Sequence, residues 1–421
     1  MVDALTADPQ SRTRVIVAHR LASIRHADRV LFVEDGRVVE DGSIDELLAV
    51  QGRFHEFWRQ QHDAAEWRIR TGHPTDVTPQ WLAAVLGERG TPVGVSGVDV
   101  VPIGTGQTGA TYRLTVTYDP DPAGLPDTFV IKLPAQDDTV RDRVVVGYRS
   151  ECAFYSSVAD RVRVPTPRCF YCEITEDAMD FALLLEDQAP AVQGDQLTGC
   201  GEREARLAVV ALAGLHGPSW CDPVWLDQPG IAFPFPDEPF ANGLGEVARM
   251  SAEITLDKLG DRLSAADRET FTETMNLVTP WLLAERDRFA LLHGDYRLDN
   301  LLFDPDLRRV AVVDWQTLGI GLPARDLGYF TATSLNSQLR SDIEESLVDD
   351  YHRKLLSYGV TGYDWETCWR DYRLGMPHTV LISALGFAFA TATERGDEMV
   401  LTMLGRGCQA ILDLETLELI G

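Results

Sequence analysis

His293-Gly294-Asp295-Tyr296-Arg297-Leu298-Asp299-Asn300 is the stretch on which the reading of this 421-residue chain turns. A carboxylate, Asp295, stands five positions ahead of an amide, Asn300. A second carboxylate, Asp314, ends the apolar run Val310-Ala311-Val312-Val313, a placement that projects it from a strand end into a cleft. Phosphoryl transfer asks little covalent help of a protein; it needs a positioned nucleophile and neutralised phosphate charge. The spacing points to Asp295 as the base that orients and deprotonates a hydroxyl, with Asn300 and Asp314 as hard oxygen ligands for Mg²⁺. Any one of these residues could instead cap a turn or a helix; the ordered set argues for the chemistry.

Upstream lie two further pieces that suit nucleotide phosphates. Lys132 interrupts the apolar strand Phe129-Val130-Ile131-Lys132-Leu133, where an unpaired ammonium is costly. The helix that follows supplies a partner, because Tyr148, Glu151, Cys152 and Tyr155 share one inward stripe. Pairing Lys132 with Glu151 solves both burials and leaves the ammonium to hold the α- and β-phosphates of ATP; a lysine snorkelling from an edge strand is the plain alternative. Farther upstream, Gly104-Thr105-Gly106-Gln107-Thr108-Gly109 matches G-x-G-x-x-G. A dinucleotide site would need a helix after it. Here the alternating run Tyr112 to Tyr118 reads as a strand. A Walker A loop fails because Ala110 occupies the lysine position. What remains is a β-hairpin tip, either lying over ATP phosphates or simply an ordinary Gly-rich turn.

Thr78 caps a short helix, PQWLAAVL. Strands are expected at Val98–Val101, Tyr112–Tyr118, Phe129–Leu133 and Phe181–Leu185, with a helix around Arg149–Val158. Beyond Glu202 the pattern is mostly helical. Strands first and helices after make an α+β chain of two lobes, expected over 78–187 and 188–421, with 62–77 as a linker.

HGDYRLDNLLFD followed by VVDWQTLGIGLPARDLGYF identifies roughly residues 78 to 421 as resembling the aminoglycoside phosphotransferase superfamily. LLLED (Leu183–Asp187), LAGLHG (Leu212–Gly217) and DLGYF look like its ecdysteroid-kinase-like and choline-kinase-like branch. The resemblance implies a bilobal protein-kinase-like fold and a small-molecule kinase. It implies that Leu185, Glu186 and Asp187 form the hinge that touches adenine through backbone groups. It also implies that His293 and Asp326 brace the catalytic loop rather than react. A protein kinase proper fits less well: the interval from Asp314 to Asp326 is short, no A-P-E follows, and the sequence is D-W-Q, not D-F-G. A non-catalytic nucleotide-binding module would have been signalled by loss of Lys132, Asp295 or Asp314; all are present. The acceptor stays open among aminoglycoside-, choline- and steroid-alcohol-like hydroxyl compounds.

The first 61 residues read differently. Arg14–His19 suggests a buried strand, Asp35-Gly36 a hairpin turn, and Ser43 with Glu46 a capping box. The run VIVAHRLASIRHADRVLFVEDGRVVEDGSIDELL closely resembles the C-terminal end of an ATP-binding-cassette transporter ATPase domain. In that family the histidine matching His19 reads the γ-phosphate. No Walker A sequence precedes it and no signature motif is present. The segment is therefore expected to be a non-catalytic remnant of a fusion or of a misplaced start site.

Composition bounds the partners. The chain is 45% hydrophobic and 24% charged, with a formal net charge of -27. Such acidity repels nucleic acid and anionic membrane surfaces. Met1–Gln10 lacks an apolar targeting core, and the longest apolar stretch, Val380–Ala392, is too short to span a bilayer and reads as a buried helix. Seven scattered cysteines suit a reducing cytosol. Cys169 and Cys172, three apart in a strand-like run, are expected on opposite faces, as plain core residues.

Overall fold

The computed structural model describes residues 27, 29–34, 36–50, 52–55, 72–87, 93–103, 109–120, 124–389 and 393–420. Gly104 and Gly106, the expected strand over 14–19 and His19 lie outside these residues.

A small leading unit holds β1 (Val30–Glu34) and β2 (Arg37–Gly42), paired antiparallel, and α1 (Ile44–Val50). Gly36, at φ 74, takes the left-handed turn conformation that glycine allows. The capping box is present: Ser43 N–H donates to Glu46 Oε2 at 2.9 Å, and Glu46 N–H donates to Ser43 Oγ at 3.3 Å. Val30, Leu47 and Phe54 form this unit's own small apolar cluster.

The β-rich lobe is built from α2 (Pro79–Gly87), β3 (Val95–Pro102), β4 (Gly109–Tyr118), β5 (Thr128–Pro134), α3 (Asp138–Ala153), β6 (Cys169–Ile174) and β7 (Phe181–Glu186). The five strands form one antiparallel sheet in the order β3-β4-β5-β7-β6. Alternation decides which face each residue serves. Leu114 and Val116 are buried while Thr115 and Thr117 face out. Phe129, Ile131 and Leu133 pack with Trp81 and Leu82 of α2. Lys132 therefore points to the opposite face, toward α3. Thr78 Oγ1 accepts from Trp81 N–H at 3.2 Å and starts α2 as expected. The helix expected from Arg149 begins at Asp138 and runs into a π-helical turn at Phe154–Val158. The linker expected over 62–77 is part of the lobe in its described portion: Gln136 Nε2 donates to the Gly72 carbonyl at 3.1 Å, and Val77 is buried in the sheet core.

One expectation fails in β6. A register shift between Cys169 and Tyr171 breaks the strict alternation, and both Cys169 and Cys172 pack on the side that carries Cys152 and Tyr155. Both are half-buried, not fully enclosed. A bulge adds one residue and so restores two positions three apart to one face.

The helical lobe contains β8 (Val192–Gln193), α4 (Glu202–Ser219), α5 (Glu238–Leu259), α6 (Ala265–Asn276), α7 (Val278–Leu283), β9 (Ala290–Leu292), β10 (Leu301–Phe303), β11 (Val310–Val312), β12 (Gly319–Gly321), α8 (Ala324–Ser334), α9 (Ser337–Ser357), α10 (Trp365–Gly375), α11 (Pro377–Phe389) and α12 (Glu394–Asp413). The α+β arrangement in two lobes matches the expectation. β11-β10-β8 and β12-β9 are short ladders that bracket the segments carrying Asp295 and Asp314. α8 lies at the centre, with all eleven of its residues buried. Val380, Leu381 and Ala384 of α11 are buried, as expected of that apolar run. Among the described residues no helix is long and apolar enough to cross a membrane.

Candidate active site

The loop between β9 and β10 is fixed from below by one carboxylate. Asp326, wholly buried near the start of α8, accepts the His293 N–H at 2.6 Å and the Gly294 N–H at 2.9 Å on its two oxygens. His216 Nε2, from α4, stands 3.3 Å away, and its Nδ1 meets Tyr351 Oη at 2.7 Å. Burial alone would push Asp326 up, but the His216 hydrogen bond and the surrounding histidines hold it below the ordinary carboxylate value. His293 sits beside the loop: its Nδ1 accepts the Asp295 N–H at 3.3 Å and its Nε2 donates to the Val313 carbonyl at 3.0 Å. Gly294, at φ 81, is required as glycine, because a Cβ there would stand 2.3 Å from the Thr317 carbonyl.

Asp295 emerges from this brace half-buried. Tyr329 Oη donates to its Oδ1 at 2.7 Å, Arg297 Nε to Oδ2 at 3.1 Å, and Asn300 Nδ2 to Oδ2 at 3.0 Å. A carboxylate offers about four acceptor positions. Three are filled by donors that fix its orientation, and one is left for an incoming hydroxyl. Burial, with the Asp295 charge behind it, pushes the Tyr329 phenol well up, so it remains a donor.

Asn300 also donates to the Asp295 carbonyl at 2.8 Å, which commits its amide nitrogen and leaves Oδ1 as its acceptor atom. Val313 N–H donates to the Asn300 carbonyl at 3.0 Å and ties this loop to Asp314. Asp314 has φ 66, a left-handed conformation rare outside glycine and a form of strain found at working sites. Its carboxylate is 38% exposed and lies 3.8 Å from Lys132 Nζ. Lys132 Nζ is 2.6 Å from both oxygens of Glu151, as the sequence pairing requires. Burial works against the ammonium, but Asp314 and Glu151 outweigh it and hold Lys132 above its ordinary value.

Asn300 Oδ1 and the exposed Asp314 carboxylate fit a Mg²⁺ ion in kind and number, since Mg²⁺ takes one or two protein oxygens plus phosphate and water. Among the described residues no set of three or more His, Cys, Asp or Glu gathers to make a fuller cage.

The segment after Asp314 is locked to α3. Trp315 is fully buried and stacks on Phe154 with ring centroids 3.5 Å apart and planes 4° from parallel. Ser150 Oγ, beside Glu151, donates to the Trp315 carbonyl at 3.0 Å. Here the D-W-Q sequence acquires a physical role: the buried indole packs on Phe154, just beyond the Glu151 helix.

At the other end of the lobe, Gly109 opens β4 opposite Pro134, and Ile103 N–H donates to the Thr111 carbonyl at 2.9 Å, so the glycine segment does join two hairpin strands. Leu185 and Glu186 end β7, and the Asp187 carboxylate accepts Arg113 Nε at 2.7 Å, linking the end of β7 to β4. Lys132, Glu151, Asp295, Asn300 and Asp314 converge; His293 and Asp326 lie behind them.

Four participants escaped the sequence reading. Arg297 was visible inside the loop motif without a role. Tyr329 is almost completely buried, as helical spacing marks a core aromatic, yet its hydroxyl reaches Asp295. His216 and His378 come from distant helices; His378 Nε2 donates to the Gly294 carbonyl at 2.9 Å.

Comparison with known proteins adds three findings. The model of the family described as "Phosphotransferase enzyme family" matches residues 99–368. The N-terminal part is 83% identical over 69 residues to the mycobactin import ATP-binding/permease protein IrtB of Mycobacterium tuberculosis (strain ATCC 25618 / H37Rv), a match covering 16% of this chain and 12% of that protein. It is 48% identical over 67 residues to the beta-(1→2)glucan export ATP-binding/permease protein NdvA of Rhizobium johnstonii, covering 16% and 11%. The chain thus spans about an eighth of the length of these curated relatives. Among solved structures, the GDP complex of aminoglycoside 2'-phosphotransferase-IIIa aligns with 78% of this chain and 98% of its own, at 14% identity and a TM-score of 0.48.

Proposed function

Since the chain belongs to the phosphotransferase enzyme family, we propose that it is a small-molecule kinase that moves the γ-phosphate of ATP to a hydroxyl of a small molecule, with Asp295 as the base. The observation that carries this reading is the meeting of Asp295 and Asn300, 3.0 Å apart, with Asp314 and Lys132, 3.8 Å apart, the two pairs tied by the Val313 N–H that donates to the Asn300 carbonyl at 3.0 Å.

Each group has one task. Lys132, steadied by Glu151, binds the α- and β-phosphates. The hinge at Leu185–Asp187 holds the adenine through backbone groups, and Gly109, which opens β4, serves the phosphates. Asn300 and Asp314 would hold Mg²⁺, which would supply positive charge to neutralise the phosphates. Asp295 accepts the acceptor's hydroxyl proton at the one carboxylate position left open, while Tyr329 and Arg297 keep the carboxylate aimed. His293 and Asp326 hold the loop and touch no reacting atom. The site faces a reducing cytoplasm in this reading, and neither nucleic acid nor a membrane is a partner.

Asp295→Asn tests it. An amide cannot take the proton, so turnover should fall by about 10²–10⁴, while nucleotide binding by equilibrium titration stays near wild type. A mutant retaining more than half of wild-type turnover overturns the assignment.

A further inference from the structure

Beside the catalytic loop lies an apolar cleft of about 490 Å³, its open mouth included. Gly294, the neighbour of Asp295, forms part of its wall, and so does His378, whose ring packs edge-on to Tyr329. Phe233, Phe240, Leu244, Ile320, Leu381 and Leu385 make its sides. Among the described residues that line it there is no aspartate or glutamate.

One lining residue does not belong in an apolar wall. Arg325 is 5% exposed. Its guanidinium sits 4.4 Å over the Trp281 ring, and Nη2 donates to the Leu282 carbonyl at 3.1 Å. Nε is buried with no hydrogen-bond partner, and among the described residues no carboxylate pairs with the group. Burial lowers it to about 10, against the pull of Asp326. A desolvated guanidinium with an unpartnered Nε is costly where it stands, and an oxygen acceptor in the cleft would offset that cost.

We propose that the phosphate acceptor is an apolar alcohol carrying a carbonyl or carboxylate oxygen, its hydrocarbon body in this cleft and its oxygen on Arg325. The idea rests on the reading of Asp295 as base toward a hydroxyl. It sets this site apart from one built for polycationic or quaternary-ammonium alcohols, which need carboxylates or an unopposed aromatic cage and would meet an uncompensated positive charge here.

The test is equilibrium binding to the full chain without nucleotide, so it does not depend on turnover. The probes are an eight-carbon ω-hydroxy acid, its methyl ester, and the matching ω-amino alcohol. The acid and the ester should bind at least tenfold more tightly than the amino alcohol, and Arg325→Met should erase that preference. Because Arg325→Met removes a buried group, Leu385→Glu at the half-buried wall serves as a second variant. It should weaken the acid about tenfold and strengthen the amino alcohol. The proposal is overturned if the amino alcohol binds wild type as well as the acid does, if no probe binds at millimolar concentration, or if both variants leave the preference unchanged. Loss of the Asp295→Asn effect would strike the catalytic reading and leave these binding ratios standing.

Discussion

Asp326→Asn isolates the brace beneath the catalytic loop. The carboxylate uses one oxygen for the His293 N–H and the other for the Gly294 N–H, both in a fully buried setting. Asparagine keeps the shape but offers one acceptor. Its amide nitrogen must face a backbone N–H, leaving two donors opposed and unsatisfied, at about 1–3 kcal/mol each. His216 loses its charged partner as well. The sum, about 3–5 kcal/mol, agrees with the usual cost of breaking a buried charged contact. Thermal unfolding should move down by about 3–6 °C. The loop then relaxes, and a displacement of about 1 Å at Asp295 should cost on the order of 10² in kcat. The apparent KM for the nucleotide should change far less, because the Lys132–Glu151 pair does not touch Asp326. Calorimetry and steady-state kinetics on the same preparation read all three quantities. A melting shift under about 2 °C with kcat within about twofold of wild type would refute the reasoning.

Three further outcomes follow from the geometry. Lys132→Met should weaken nucleotide binding and destabilise the fold by about 3 kcal/mol, because Glu151 is left buried and unpaired; adding Glu151→Leu should restore most of the stability in denaturant titrations, and equal midpoints for single and double variants would contradict the ion-pair argument. Burial holds His378 below its ordinary value despite Asp326 and Asp295 nearby. Its contribution to stability is thus present above the unfolded value of about 6.5 and is lost as pH falls below it, so His378→Gln should flatten the decline in melting temperature between about pH 7 and 5.5. Deleting residues 1–61 should leave turnover and the main melting transition unchanged, since Val30, Leu47 and Phe54 form a cluster of their own; a sharp fall in melting temperature on truncation would show that the segment supports the kinase lobes.

Local pattern carried the sheet and the loop. The alternation of Tyr112, Leu114 and Val116, and the lone Lys132 in an apolar strand, are period-two signals that need no tertiary knowledge. The spacing from Asp295 to Asn300 is similarly contained in one segment. What stayed hidden depends on chain segments far apart. Nothing near Tyr329 says that its hydroxyl meets Asp295, because helical spacing alone marks an aromatic as core. His216 and Asp326 meet only when α4 and α8 pack. The early start of α3 was masked by the weak helix propensity of Val144-Val145-Val146, which tertiary contacts override. The paired facing of Cys169 and Cys172 depends on a bulge, which a strict two-residue repeat cannot express.

The stack of Phe154 on Trp315 has a bearing on control. Protein kinases are switched by swinging the helix that carries the glutamate away from its lysine. Here that helix is clasped to the segment after Asp314 by a buried aromatic face and by Ser150. Separating such a contact costs about 3–5 kcal/mol, so a swung-out form would hold fewer than about one molecule in a hundred. A swung-out helix is thus a rare excursion for this molecule, and the lysine–glutamate pair stands assembled before anything binds.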